Sequence, residues 1–144
     1  MARKYIADSL ILGSTIIPEV HGRLYKYGEG GQKIAACAIG SIFMAEKIGQ
    51  NWMDEWYSLF PHEVTWSSWM MNCSFPSCPL CERAGFLRYL VVHLFEDHKL
   101  SRVEIAAKIF PIEVKLWEEY EAKLKEKENK EKIKTDVLEH VSRN

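Results

Sequence analysis

The chain has 144 residues, 47% hydrophobic side chains and a formal net charge of -1. That length allows one domain, or one domain with an appended helix, and a core of useful size. The near-neutral charge excludes a general electrostatic pull toward nucleic acid or anionic membrane, so any such contact must come from a local patch.

Five Trp among 12% aromatic residues argue against disorder. The apolar run from Ile34 to Ala45 is too short and too glycine-interrupted to cross a bilayer. The expectation is therefore a cytoplasmic protein with no membrane partner. In a reducing cytoplasm its four Cys read as thiols or metal ligands rather than as a disulfide framework.

Apolar residues from Tyr5 to Leu12 predict a short helix over 4–13 that ends at Gly13. Arg23-Leu24-Tyr25-Lys26-Tyr27 alternates, and Gly28-Glu29-Gly30-Gly31 tolerates positive φ, which together predict a small hairpin over 23–34. The small and apolar residues that follow predict a buried helix over 34–48, stopped by Gly49-Gln50-Asn51, with Cys37 packed in the core. Between 51 and 72 no period dominates. Trp52, Trp56, Trp66 and Trp69 read as indoles filling the core from loops and turns, the alternative being an exposed aromatic face.

From Phe86 the pattern predicts a helix over 85–97, then a turn at His98-Lys99-Leu100. Ser101-Arg102-Val103-Glu104 is a capping box opening a helix over 101–109. Pro111 suits the first position of a last helix over 111–140. Trp117, Tyr120 and Leu124 give that helix an inward stripe. Beyond Lys125 it becomes nearly all Lys and Glu, with Glu119/Lys123, Glu121/Lys125, Glu126/Lys130 and Glu128/Lys132 at i,i+4. Ile133, Val137 and Val141 then form a narrow apolar stripe. The domain reading is a globular unit over 1–124 and a charged helical extension over 125–144.

Chemistry concentrates at Cys78-Pro79-Leu80-Cys81 and His93-Leu94-Phe95-Glu96-Asp97-His98, a C-x2-C-x11-H-x4-H arrangement. Two thiols two residues apart can close on one ion from a tight turn, and two imidazoles from a helix can complete a tetrahedron. The expected ligands of a Zn2+ ion are Cys78, Cys81, His93 and His98, with Cys73 in reserve. On an ideal helix residues five apart point about 140° from one another, so His98 must sit where the helix ends. The expected fold is mainly α: a small single domain with a minor β-hairpin, a zinc-pinned helix-turn-helix and a long C-terminal helix.

Cys78-x2-Cys81, Phe86, Leu90-x2-His93 and His98 resemble a C2H2 zinc finger, with a Cys-to-His gap one shorter than usual and the aromatic one place late. The resemblance implies metal binding but not DNA reading by this helix, whose outward positions are mostly apolar. The stretch from His93 to Ala106 is similar to a segment of small uncharacterised bacterial and phage proteins, of the form H-L-N-D-x-H-x-W-S-R-E-x-I-A, often preceded by C-P-x-C. Their C-A-L-G-A resembles Cys37-Ala38-Ile39-Gly40-Ser41. That likeness implies a phage or prophage origin, hence the host cytoplasm, and the helix-turn-helix, and no activity.

Three function classes follow. One is a non-enzymatic zinc-binding regulator or adaptor acting through contacts with a host protein or a second copy. Another is a sequence-specific DNA-binding regulator, with Arg102 reaching bases and Lys99 and Lys108 on phosphates. The last is a zinc-dependent enzyme. Against it, four protein ligands leave no open position, and neither a His-Glu-x-x-His pattern nor a phosphate-binding loop is present. No small-molecule substrate is evident.

Overall fold

The computed structural model describes residues 2–63 and 75–143, with side chains through 141. Helix α1 (Ile6–Ile16) leads into a hairpin of β1 (Tyr25–Tyr27) and β2 (Lys33–Ala36). Then come α2 (Ala38–Glu46), α3 (Trp52–Leu59), a 3-10 turn (Pro61–Glu63), α4 (Leu87–Glu96) and α5 (Arg102–Arg143). The strands are antiparallel, with Tyr25 opposite Ala36 and a bulge between Lys26 and Tyr27. Helix α1 packs between α2 and α5, and α4 closes the other side. Ile6, Leu10, Ile42, Trp56, Leu90 and Ile105 are fully buried in one shared cluster. The protein is a small, mainly helical single domain with a hairpin and a long C-terminal helix. No helix among the described residues is long and apolar enough to cross a membrane.

Four boundaries depart from the sequence pattern, each for a physical reason. Helix α1 runs through Gly13 to Ile16, because Gly13 serves packing rather than termination. A Cβ there would lie 2.5 Å from the Ser41 carbonyl oxygen, so its absence lets α1 and α2 cross closely. Residues 33–36 are strand, and the helix begins only after Cys37, whose Sγ accepts the Gly40 amide at 3.4 Å. Residues 52–59 are helical because Trp52, Trp56 and Phe60 repeat at spacing four, with Trp56 and Phe60 fully buried. The helices expected over 101–109 and 111–140 are one. Pro111 lies inside α5 on an exposed face, and Ala107, whose carbonyl its ring leaves unbonded, is exposed to water. The capping box at its start closes as expected: the Ser101 amide donates to Glu104 and the Glu104 amide to Ser101 Oγ, both at 3.1 Å. Trp66 and Trp69 lie outside the described residues.

Buried carboxylates hold the helix starts. Neither Tyr5 nor Phe86, the residues preceding α1 and α4, offers a capping side chain. Instead Glu113 of α5, fully buried, accepts the amides of Ile6 and Ala7 at 2.7 Å each. His62 Nε2 meets the same carboxylate at 2.6 Å, and its ring stacks on Trp117. Glu63, the next residue, accepts from the Trp56 indole and from the Arg88 amide at the start of α4. A carboxylate on the free amides of a helix start satisfies orphan donors and meets the positive end of the dipole.

Replacing Glu113 with Ala leaves two amides and His62 without their buried acceptor. It should lower the unfolding free energy by about 3 kcal/mol or more in a denaturant titration. Glu63 gives a pH signature. Burial pushes its carboxyl from the ordinary value of 4.5 to about 7, against the pull of the Arg88 amide and the Trp56 indole. Between those pH values the folded state holds a proton that the unfolded chain has released, so stability falls as pH rises from about 4.5 to about 7. Glu63→Gln should flatten that part of the stability–pH curve relative to the parent chain, measured under identical metal conditions.

Candidate metal centre

The first half of the site is a tight turn. The Cys78 amide donates to the Arg83 carbonyl at 2.6 Å and the Gly85 amide to the Pro76 carbonyl at 3.1 Å, with an antiparallel bridge between Ser77 and Ala84. Inside the turn the Leu80 amide donates to Cys78 Sγ at 3.4 Å. Pro79, Leu80 and Cys81 are exposed and Cys78 is buried, so the site opens to the surface on the Cys81 side.

The second half comes from the end of α4. His93 is 6% exposed on the helix face that packs inward. His98 reaches the same point because the helix widens as it ends. The His93 carbonyl accepts both the Asp97 amide at 2.9 Å and the His98 amide at 3.4 Å. A wider last turn rotates residues five apart back toward one face. Lys99 then takes a left-handed conformation, φ 56°, and the Leu100 amide returns to the Leu94 carbonyl.

Together the four side chains offer one ligand atom each, all within 4.8 Å of one another. His93 Nε2 lies 3.2 Å from Cys81 Sγ and 3.1 Å from His98 Nε2, and His98 Nε2 lies 3.7 Å from Cys78 Sγ. With bonds of about 2.3 Å to sulfur and about 2.0–2.1 Å to nitrogen, a tetrahedral ion separates its ligands by about 3.3–3.8 Å. The three short edges of the cluster, 3.1, 3.2 and 3.7 Å, lie within about 0.2 Å of that range. Two imidazole nitrogens and two sulfurs pointed at one spot repel unless a cation or shared protons lie between them.

Electrostatics favours the ligating form of the Cys81 sulfur, with the neighbouring imidazole holding the proton that a metal would displace. The Arg83 amide, then His98 and His93, bring the Cys81 thiol down to about 6. Cys81 in turn raises His93, and His93 lowers Asp97. Asp97 Oδ2 is 2.7 Å from His93 Nδ1. That contact places the ring proton on Nδ1 and leaves the Nε2 lone pair facing the cluster, the arrangement by which a carboxylate orients a metal-binding histidine. Asp97 was not singled out in the sequence, although a carboxylate one helical turn after a histidine is a legible signal.

The remaining candidates are dispersed. Cys73, the reserve ligand, lies outside the described residues. Lys99 and Lys108 are exposed. Arg102, expected near bases at the start of a recognition helix, faces inward instead. It is 3% exposed, with its amide 3.2 Å and its Nε 3.5 Å from Glu19. The second helix of the expected helix-turn-helix, about ten residues long, is the 42-residue α5. Cys37 borders an apolar groove and caps α2, away from the other two described thiols.

Titration with Co2+ should produce sulfur-to-metal charge transfer and intense tetrahedral bands. Asp97→Asn should retain those bands with metal affinity lower by about 10-fold or more, whereas Cys78→Ser should lower the charge-transfer intensity to that of one sulfur or less. Comparison of the chain with protein-family models, with curated proteins and with solved structures finds no match, and the reading of the site rests on its own chemistry.

Proposed function

We propose that the chain is a small non-enzymatic zinc-binding regulator or adaptor that works through protein–protein contacts. The observation that carries the reading is the convergence of Cys78, Cys81, His93 and His98. Soft sulfur with imidazole selects zinc among common divalent ions. Four protein ligands complete a tetrahedron, which suits a structural ion rather than a catalytic one with an open position. Zinc here would join the turn at 76–85 to the end of α4, a junction whose thiols and imidazoles contribute little apolar burial. Structural zinc can contribute several kcal/mol to such a junction.

Partner binding is supported by exposed apolar surface. Ile133, Val137, Leu138 and Val141 are 55–64% exposed on α5, where every side chain from 125 to 141 is exposed. The likeness of 93–106 to segments of phage and bacterial proteins favours a phage origin and a host protein as partner. DNA binding is the weaker alternative, because burial of Arg102 beside Glu19 leaves Lys99 and Lys108 as the exposed cations of that reading.

Metal analysis of protein purified without chelator should give about one zinc per chain, and chelator should lower the melting temperature. A chain with no metal and unchanged melting after chelation would sink the zinc reading. A chain cut after Lys125 should keep the fold by circular dichroism while losing assembly or capture of a host protein. Salt-sensitive binding to a genomic fragment, with no protein captured, would instead favour the DNA alternative.

A further inference from the structure

A groove of about 950 Å³ runs along the outer face of α4. One wall is Phe86, Tyr89 and Val92, a stripe at spacing three on α4. The other is Ile39 and Phe43, one turn apart on α2, with Trp52 of α3 at its end. The apolar outward positions of α4, unsuited to reading DNA, thus form one side of a trough. The two ends are fixed by contacts. Near the start of α4 the Arg88 guanidinium lies over the Trp52 ring at 5.2 Å. Near its last turn Glu96 accepts the Gly22 amide, holding Arg23 and Leu24 beside the groove. Eight residues of helix separate Arg88 from Glu96, or about 12 Å at 1.5 Å per residue.

Charge distinguishes this trough from a generic apolar patch. Arg23 and Arg88 line it, and among the described residues neither has a carboxylate within ion-pair distance. Glu96, the one acid in the lining, is engaged with Gly22 and His21. The trough is therefore apolar along its length, with Arg88 at one end and Arg23, beside the engaged Glu96, at the other.

We infer that this groove docks an acidic amphipathic helix of a partner protein, with apolar residues at i, i+3 or i+4 and i+7 along the trough and a carboxylate near each end to meet Arg23 and Arg88. The inference deepens the adaptor reading and rests on it. A helix fits better than an extended segment because it satisfies its own backbone groups, which apolar walls cannot do. It fits better than a small molecule because Leu24, Tyr89 and Val92 remain 41–43% exposed at the rim, and covering them needs a broad occupant. The same helix carries both functions. His93 faces the metal cluster and stacks on Tyr89 of the groove wall, centroids 6.2 Å apart, so the cluster anchors the helix that shapes the trough.

The test is selection of displayed amphipathic helical peptides, with fixed leucines and flanking positions randomised among Glu, Gln and Lys, on the full chain purified without chelator. Selected peptides should carry Glu at both flanks and bind at least about tenfold tighter than their Lys-flanked counterparts. Val92→Glu, at an exposed position, should abolish binding with melting unchanged, and Arg23→Glu should shift the selected flank from Glu to Lys. Absence of acidic preference, or binding indifferent to Val92→Glu, would overturn the inference. So would occupation by decanoate with no peptide selected, or self-association of the chain lost in Val92→Glu. Metal content of the same sample separates the two readings. No selection on a metal-containing chain sinks the groove alone, and acidic selection on a metal-free chain sinks the zinc reading alone.

Discussion

Two adjacent residues, His62 and Glu63, stand at the junction of the fold. His62 turns toward Glu113, which holds the first amides of α1 from a position in α5. Glu63 turns toward Trp56 of α3 and the Arg88 amide of α4. One 3-10 turn thus ties four helices through buried carboxylates, at a place where an unpaired charge would be strongly destabilising. The arrangement is all or nothing, because removing any partner strands the others at a buried position. Trp117 extends it by covering His62 and donating its indole N–H to the Lys4 carbonyl at 2.9 Å.

The same device is added to the local capping box at the start of α5. Glu19 accepts the Arg102 amide at the start of α5, and the Arg102 side chain lies buried against it. Capping from a distance makes helix formation depend on tertiary closure, since a short isolated helix gains little by itself. The far part of α5 is built differently. Its side chains are exposed from 125 to 141, and just before that stretch Lys123 reaches Glu126 rather than Glu119 while Glu121 is taken by Arg3 from the start of the chain. Exposed pairs of this kind contribute little. This half of the helix is a solvated extension carrying an apolar stripe.

Helix α4 is where structure and proposed function meet. Its inward face carries Leu87, Leu90, Val91 and Leu94 into the core. His93 projects toward the Cys turn, and its outer face lines the groove. Its start is held by Glu63 and its end by the widened turn that brings His98 over His93. A metal joining the last turn to the Cys78–Cys81 turn would therefore fix the orientation of the groove wall without touching the groove.

What was legible in the sequence is what local spacing dictates. The Cys and His pairs, the capping box at Ser101 and Glu104, the hairpin and the helical character of α1, α4 and α5 each depend on residues a few positions apart. The continuity of α5 through Pro111 did not, because whether a missing hydrogen bond is tolerable depends on which face meets water. Gly13 looked like a helix end because its real reason, the approach of Ser41, lies on another helix. Trp52, Trp56 and Phe60 hid their period among turn residues until burial showed which rings faced inward. Arg102 looked outward until Glu19 arrived from the far side of the hairpin. The sequence by itself determined which donors could bind a metal and where helices could form. Only the tertiary structure decided which carboxylates cap which helices, because those partners lie tens of residues apart and meet only when the core closes.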